Sequence, residues 1–205
     1  MSIYNGYMNE MDDIELLREY ASNGSEAAFT ILVNRQLGLV YATALRQVGD
    51  PHLAEEVTQA VFIVLARKAP TLQKGKTLSG WLYRTTHFAA SDALKIQYRR
   101  KRRENEAAQM DTTSADTSTW EQVAPLLEEA MAQLRPKDRD AVLLRFFENK
   151  SLAEVGAVLG LNEEAARKRV DRAVEKLRSV FTQGGAVLSA ATIGGLLSSN
   201  AVQAD

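Results

Sequence analysis

Residues 151–178, SLAEVGAVLGLNEEAARKRVDRAVEKLR, carry the sharpest chemical signal in the chain. They read as a short helix, a glycine-containing turn and a longer helix, which is the helix-turn-helix arrangement. Gly156 supplies a small residue where two helices cross, Gly160 the turn, and Leu161 the first anchor after it. Ala166, Val170, Ala173 and Leu177 give the second helix an inner face. Glu164, Ala165, Arg167, Lys168, Asp171, Arg172 and Glu175 are left facing outward. Guanidinium and ammonium groups there suit phosphates and guanine edges in a major groove. The bland alternative is a helical hairpin with a solvated charged face, and Glu163, Glu164, Asp171 and Glu175 argue mildly for it.

A second signal is Tyr98-Arg-Arg-Lys-Arg-Arg103, which ends a helix bearing Trp81, Tyr83 and Phe88. Such bases neutralise phosphates, and aromatic rings stack on unpaired bases. The alternatives are a basic helix end complementing its own dipole or a localisation-like patch.

No catalytic constellation accompanies these features. Lys74-Gly-Lys-Thr77 holds a G-K-T fragment, but Pro70 stands where a phosphate-binding loop needs glycine. His52 and His87 lie on different helices without a metalloprotease pattern, and Glu55-Glu56 are adjacent and so point apart. An enzyme, a resident metal and a cofactor are therefore not expected.

The elements that must position these residues are all helical. With 4 Pro and no run of alternating β-branched residues, the 205-residue chain predicts an all-α protein. Helices are expected over 12–22, then from a Ser25 cap to Gly49 with Phe29, Leu32, Val33, Val40, Tyr41, Ala44 and Val48 on one face. Asp50-Pro51 starts the next, Asp as N-cap and Pro at the first helical position. It runs to Lys68, with Leu53, Val57, Val61, Val64 and Leu65 as its core stripe and a separate stripe of Glu55, Gln59 and Phe62. After a loop at 69–78, a helix over 79–106 sets Leu82, Thr85, Ala89, Ala93 and Ile96 against a polar, basic side of Arg84, His87, Ser91, Lys95, Tyr98 and Arg102. Residues 107–119, AAQMDTTSADTST, read as a flexible linker joining two small helical domains, 1–106 and 120–181. In the second, helices are expected over 120–133 and 136–147, a capping box at Ser151/Glu154, and an Asn162 cap. The tail 182–205 lacks pattern and is expected to be poorly ordered.

Composition agrees. The chain is 45% hydrophobic, has no cysteine and carries a net charge of −1, which excludes wholesale disorder, a disulfide scaffold and a thiolate site. The balance conceals blocks: six acids against Arg18 in residues 1–30, then six bases and no acid in 93–103. Such blocks imply separate faces, at least one for a polyanion. Neither a signal peptide nor a membrane span is read from the sequence, and a cytoplasmic location is expected.

Taken together and in order, residues 12–181 resemble a bacterial RNA polymerase sigma factor of the extracytoplasmic-function type. The resemblance rests on Asp50-Pro-His-Leu-Ala-Glu-Glu-Val-Thr-Gln-Ala-Val-Phe62, on Gly80-Trp-Leu-Tyr-Arg84 running into the basic helix, and on Leu134–Arg178 with its helix-turn-helix. It implies that Asp50, Glu55, Glu56, Gln59 and Phe62 contact the clamp of core RNA polymerase. It implies that Trp81, Tyr83, Arg84, His87 and Ser91 lie near single-stranded minus-ten bases of promoter DNA, with Lys95 and Arg99 on phosphates. The loop at 69–78 would help pocket a flipped base, the second domain would read the minus-thirty-five element, and an anti-sigma factor is an expected partner. Ala165 and Ala166 depart from the hydroxyl and β-branched residues common in the family at those places. A stand-alone helix-turn-helix regulator would instead bind an operator without polymerase, commonly as a dimer on spaced half-sites. A helical adaptor for an acidic protein would show no salt-dependent DNA affinity.

Overall fold

The computed structural model describes residues 10–72, 77–107 and 127–183, which are helical with no strand among them. The expected linker from 108 to 119, residues 73–76 of the expected loop at 69–78, residues 120–126 of the helix expected at 120–133 and the tail after Gln183 lie outside the described residues. Helix α1 spans Asp13–Asn23, α2 Glu26–Val48, α3 Pro51–Lys68 and α4 Leu78–Ala107. A 3-10 turn, Ala69–Thr71, follows α3. The second half holds α5 (127–133), α6 (Pro136–Val142), α7 (Leu152–Leu159) and α8 (Glu163–Gln183). Helix α6 passes into a π-helical turn, Leu143–Phe147, so the expected helix over 136–147 is not α-helical throughout.

Local chemistry fixes most of these ends. The Asp12 and Glu15 side chains form a capping box on α1, and the Ser25 hydroxyl accepts from the Ala28 amide at the start of α2. Asp50 Oδ1 accepts from the Leu53 amide at 2.7 Å ahead of Pro51. Ser151 Oγ accepts from the Glu154 amide, and Glu154 Oε2 accepts from the Ser151 amide at 2.7 Å. Those bonds hold the exposed Glu154 carboxyl below the usual carboxylate range. Asn162 Oδ1 accepts from the Ala165 amide at 2.8 Å and starts α8.

Helix α2 is the hub of the first half and packs on α1, α3 and α4. It is long and apolar enough to cross a bilayer by length and composition, but here Leu32, Leu39, Val40 and Ala44 are buried among its neighbours. In the second half Ala166, Val170, Ala173 and Leu177 are buried, the inner face read from their spacing. Two stripe assignments change. Val64 is exposed on α3, and Ile96 is exposed on α4, where Leu82, Tyr83, Thr86 and Ala90 are buried instead.

The halves also pack on each other. Leu127, Met131, Leu143, Phe147, Leu177 and Phe181 belong to the same apolar cluster as Leu16, Leu17, Leu82 and Tyr83. A smaller cluster of Ala141, Leu144, Val155, Ala166, Val170 and Val174 closes the helix-turn-helix.

Gly160 has φ +67°, the left-handed conformation that a helix-ending glycine adopts without penalty. Gly156 is needed for another reason: a Cβ there would stand 2.7 Å from the Leu161 carbonyl oxygen. Backbone cannot step aside as a flexible side chain can. Gly156→Ala should therefore destabilise the fold by about 1–3 kcal/mol, despite alanine's gain of about 1 kcal/mol in helix propensity. Urea unfolding measures this, and a more stable variant would contradict the crossing geometry.

Candidate polymerase- and DNA-binding surfaces

Helices α2 and α3 enclose an open groove of ≈ 880 Å³. Phe29, Val33, Leu37 and Tyr41 line it from α2, and Phe62 and Ile63 from α3. Glu55, Glu56 and Gln59 share the lining and are exposed, so carboxylates and an amide stand beside apolar surface. Phe62 is 8% exposed, enough to show an edge while packing in the core. The structure thus brings together four of the five residues assigned to the clamp. The fifth, Asp50, caps α3, and its carboxylate serves the helix start. Phe29, Val33 and Tyr41 were read as core from their spacing. The signal that separates them is the proximity of α3's acidic stripe, a tertiary fact.

Along α4 the residues divide by position. Trp81, Arg84, His87 and Ser91 are half-buried, and Lys95 and Arg99 are exposed. His87 Nδ1 is hydrogen-bonded to the Gln47 side-chain amide of α2, and Lys95 pairs with Asp92 at 3.1 Å. Phe88 and Tyr98 are largely exposed, and neither was among the assigned site residues. Tyr83 is different: it is 1% exposed, and its hydroxyl donates to Glu128 Oε2 at 2.7 Å. Burial, with the Glu128 carboxylate beside it, pushes the Tyr83 phenol well above its ordinary value and keeps it a donor.

On α8 the outward residues stand as the spacing implies. Glu164, Arg167, Lys168, Asp171 and Arg172 are exposed, and Ala165 is half-buried. Arg167 pairs with Glu163 at 3.4 Å and Lys168 with Glu164 at 2.7 Å, each one helical turn back. No group of three or more His, Asp or Glu residues suited to a metal occurs among the described residues.

Sequence comparisons give the chain's family. A family model described as Sigma-70 region 2 matches residues 32–104, and one described as Sigma-70, region 4 matches residues 130–179. The RNA polymerase sigma factor CarQ of Myxococcus xanthus is 32% identical over 163 residues, 78% of this chain and 92% of CarQ. The chain belongs to the sigma-70 family, in its ECF branch.

The ECF RNA polymerase sigma factor SigE of Mycolicibacterium smegmatis is 33% identical over 175 residues, 80% of this chain and 66% of SigE. Among solved structures, CnrH in complex with the cytosolic domain of CnrY is similar at 22% identity and a TM-score of 0.42, over 84% of this chain and 99% of CnrH. This sigma factor is an initiation factor for promoter recognition and not an enzyme. The stand-alone regulator alternative is not favoured.

Two carboxyls lie where the sigma factor's halves meet. Burial raises the Asp140 carboxyl above its ordinary value, while the Thr77 hydroxyl and the Arg84 and Arg139 charges pull it back. Burial likewise raises Glu148, against the pull of Ser79 and Lys150, and Asp13 raises it further. A carboxyl raised in the folded state binds its proton at a pH where the unfolded chain has released it. These two groups therefore favour folding more as pH falls from neutrality through their raised values, and add nothing further below the usual range of about 4. Denaturant midpoints at about pH 7 and about pH 5, compared with an Asp140→Asn/Glu148→Gln double variant, measure the effect. The variant should gain less than the native chain on acidification; an equal gain would contradict the assignment.

Proposed function

We propose that the α2/α3 groove receives the clamp of core RNA polymerase, while α4 and α8 read the two promoter elements. The groove carries this reading: apolar surface beside Glu55, Glu56 and Gln59 fits a partner segment that is itself apolar and basic. Phe62 and Ile63 supply desolvated contact area, and the carboxylates supply orientation and encounter rate. Asp50 acts one step back, by fixing where α3 begins.

Arg167, Lys168 and Arg172 on α8 enter the major groove of the minus-thirty-five element, exchanging their pairing with Glu163 and Glu164 for phosphates and base edges. Glu164 and Asp171 are placed to accept from cytosine amino groups, and Ala165 offers only a methyl. Trp81, Tyr83, Arg84, His87 and Ser91 address the separated minus-ten strand, and Lys95 and Arg99 hold its phosphates. Two weak promoter contacts on one chain reinforce each other because the second becomes intramolecular. The chain works in the cytoplasm, beside polymerase and DNA, under an anti-sigma partner.

The groove and the recognition helix are separable by mutation. Glu55→Gln/Glu56→Gln/Gln59→Ala should weaken binding to core polymerase at least about tenfold, some 1.4 kcal/mol, and leave duplex DNA affinity unchanged. Arg167→Ala or Arg172→Ala should do the reverse, losing about 1–3 kcal/mol of promoter affinity where a guanine is read. Run-off transcription and core pull-down measure both. Full core affinity in the triple variant would refute the groove assignment.

A further inference from the structure

Gln47, at the end of α2, reaches across to α4. Its side-chain amide nitrogen meets His87 Nδ1, a contact between residues 40 apart in sequence. An imidazole has two ring nitrogens, and the partner of one decides what the other can do. As the amide is placed, its N–H donates and Nδ1 accepts. A neutral ring whose Nδ1 accepts carries its proton on Nε2. Nε2 has no partner among the described residues, and it is not one of the buried side-chain atoms left unpartnered. It therefore meets solvent as an N–H donor.

Other contacts hold the ring without choosing between its nitrogens. The Tyr83 ring lies nearly parallel, at 16° and 6.4 Å between centroids, and the Phe88 ring meets it edge-on at 72° and 6.3 Å. These neighbours limit tilt. Among the described residues Gln47 alone distinguishes Nδ1 from Nε2. It does so at a cost in stability, because Gln47 Oε1 is buried with no hydrogen-bond partner. A buried orphan of this kind calls for a reason. Turning the amide over would give no relief: it would bury the NH₂ in the same place and set an acceptor against Nδ1. The proton would then sit on Nδ1, and Nε2 would face outward as an acceptor.

We infer that Gln47 is a positioning residue for promoter binding: it holds His87 by Nδ1 so that Nε2–H is presented to an acceptor atom of an unpaired minus-ten base. This rests on the proposed placement of His87 beside the separated strand, and it names what sets the chemistry of that side chain. Bases out of the stack are read by hydrogen bonds to their pairing edges, and a ring already fixed in orientation loses less freedom when it makes one. Gln47 itself touches no DNA.

Gln47→Met keeps the length of the side chain and removes the amide. The chain has two histidines, so nitrogen-15 NMR of a His52→Gln background reports His87 alone. At a pH where the ring is neutral, it should be protonated at Nε2 with Gln47 present and divided between both nitrogens in Gln47→Met. Holoenzyme carrying Gln47→Met should bind a premelted minus-ten fragment about three- to tenfold more weakly, the range of one hydrogen bond. In a His87→Ala holoenzyme the same substitution should weaken binding no further, since no ring is left to position. A residue that merely supported the fold would weaken binding equally in both backgrounds. Equal losses would overturn the inference, as would a ring protonated at Nδ1 beside Gln47 or a Gln47→Met holoenzyme that binds like the native one. If His87→Ala alone leaves binding unchanged, the reading of His87 fails and takes the inference with it, a result distinct from the other three.

Discussion

The Glu128 carboxylate sits between the Arg46 guanidinium and the Tyr83 hydroxyl, and the relation between the two halves hangs on that meeting. Each member belongs to a different helix, α5, α2 and α4. Apolar packing of Leu127, Met131, Leu143 and Phe147 supplies attraction without direction. The carboxylate supplies direction: both oxygens are engaged, so α5 cannot slide along α4 without exposing a buried charge. Removing one member of such a pair costs far more than the intact pair contributes, on the order of 3–5 kcal/mol. The contact is therefore specific without being strong.

The two exposed surfaces proposed for polymerase and promoter are built differently. The groove joins apolar floor to acidic side chains and needs no rearrangement to be entered. The recognition helix carries bases already paired with acids one turn back, Arg167 with Glu163 and Lys168 with Glu164. Exposed pairs of this kind contribute about 0.3–0.5 kcal/mol each, a small loss when a phosphate replaces the carboxylate. Glu163 and Glu164, two of the acids on α8 that argue mildly against DNA, thus pair with basic side chains one turn on.

Local rules made the helices legible. Ser25, Asp50, Ser151 and Asn162 cap where their side chains predicted, and Gly49 and Gly160 end helices with positive φ. The recognition helix was legible for the same reason: its inner and outer faces follow from one helix's period. Val64 and Ile96 depart from their stripes because period says which residues share a face, while a neighbouring helix decides whether that face is covered. Tyr83 was harder to read. Its burial depends on Glu128, 45 residues away across the segment read as a linker, and no pattern within α4 points to that partner. Half of the groove was hidden likewise, since Phe29 and Tyr41 lie on a face of α2 that reads as core until α3's acidic stripe is set beside it.

The central claim is that the α2/α3 groove, apolar surface beside Glu55, Glu56 and Gln59, is the seat of core polymerase. Hydroxyl-radical footprinting of the free chain and of its complex with core polymerase reads it directly. The account predicts protection of Phe29, Tyr41, Phe62 and Ile63 in the complex. Labelling of those side chains that is equal in the free and bound chain would contradict it.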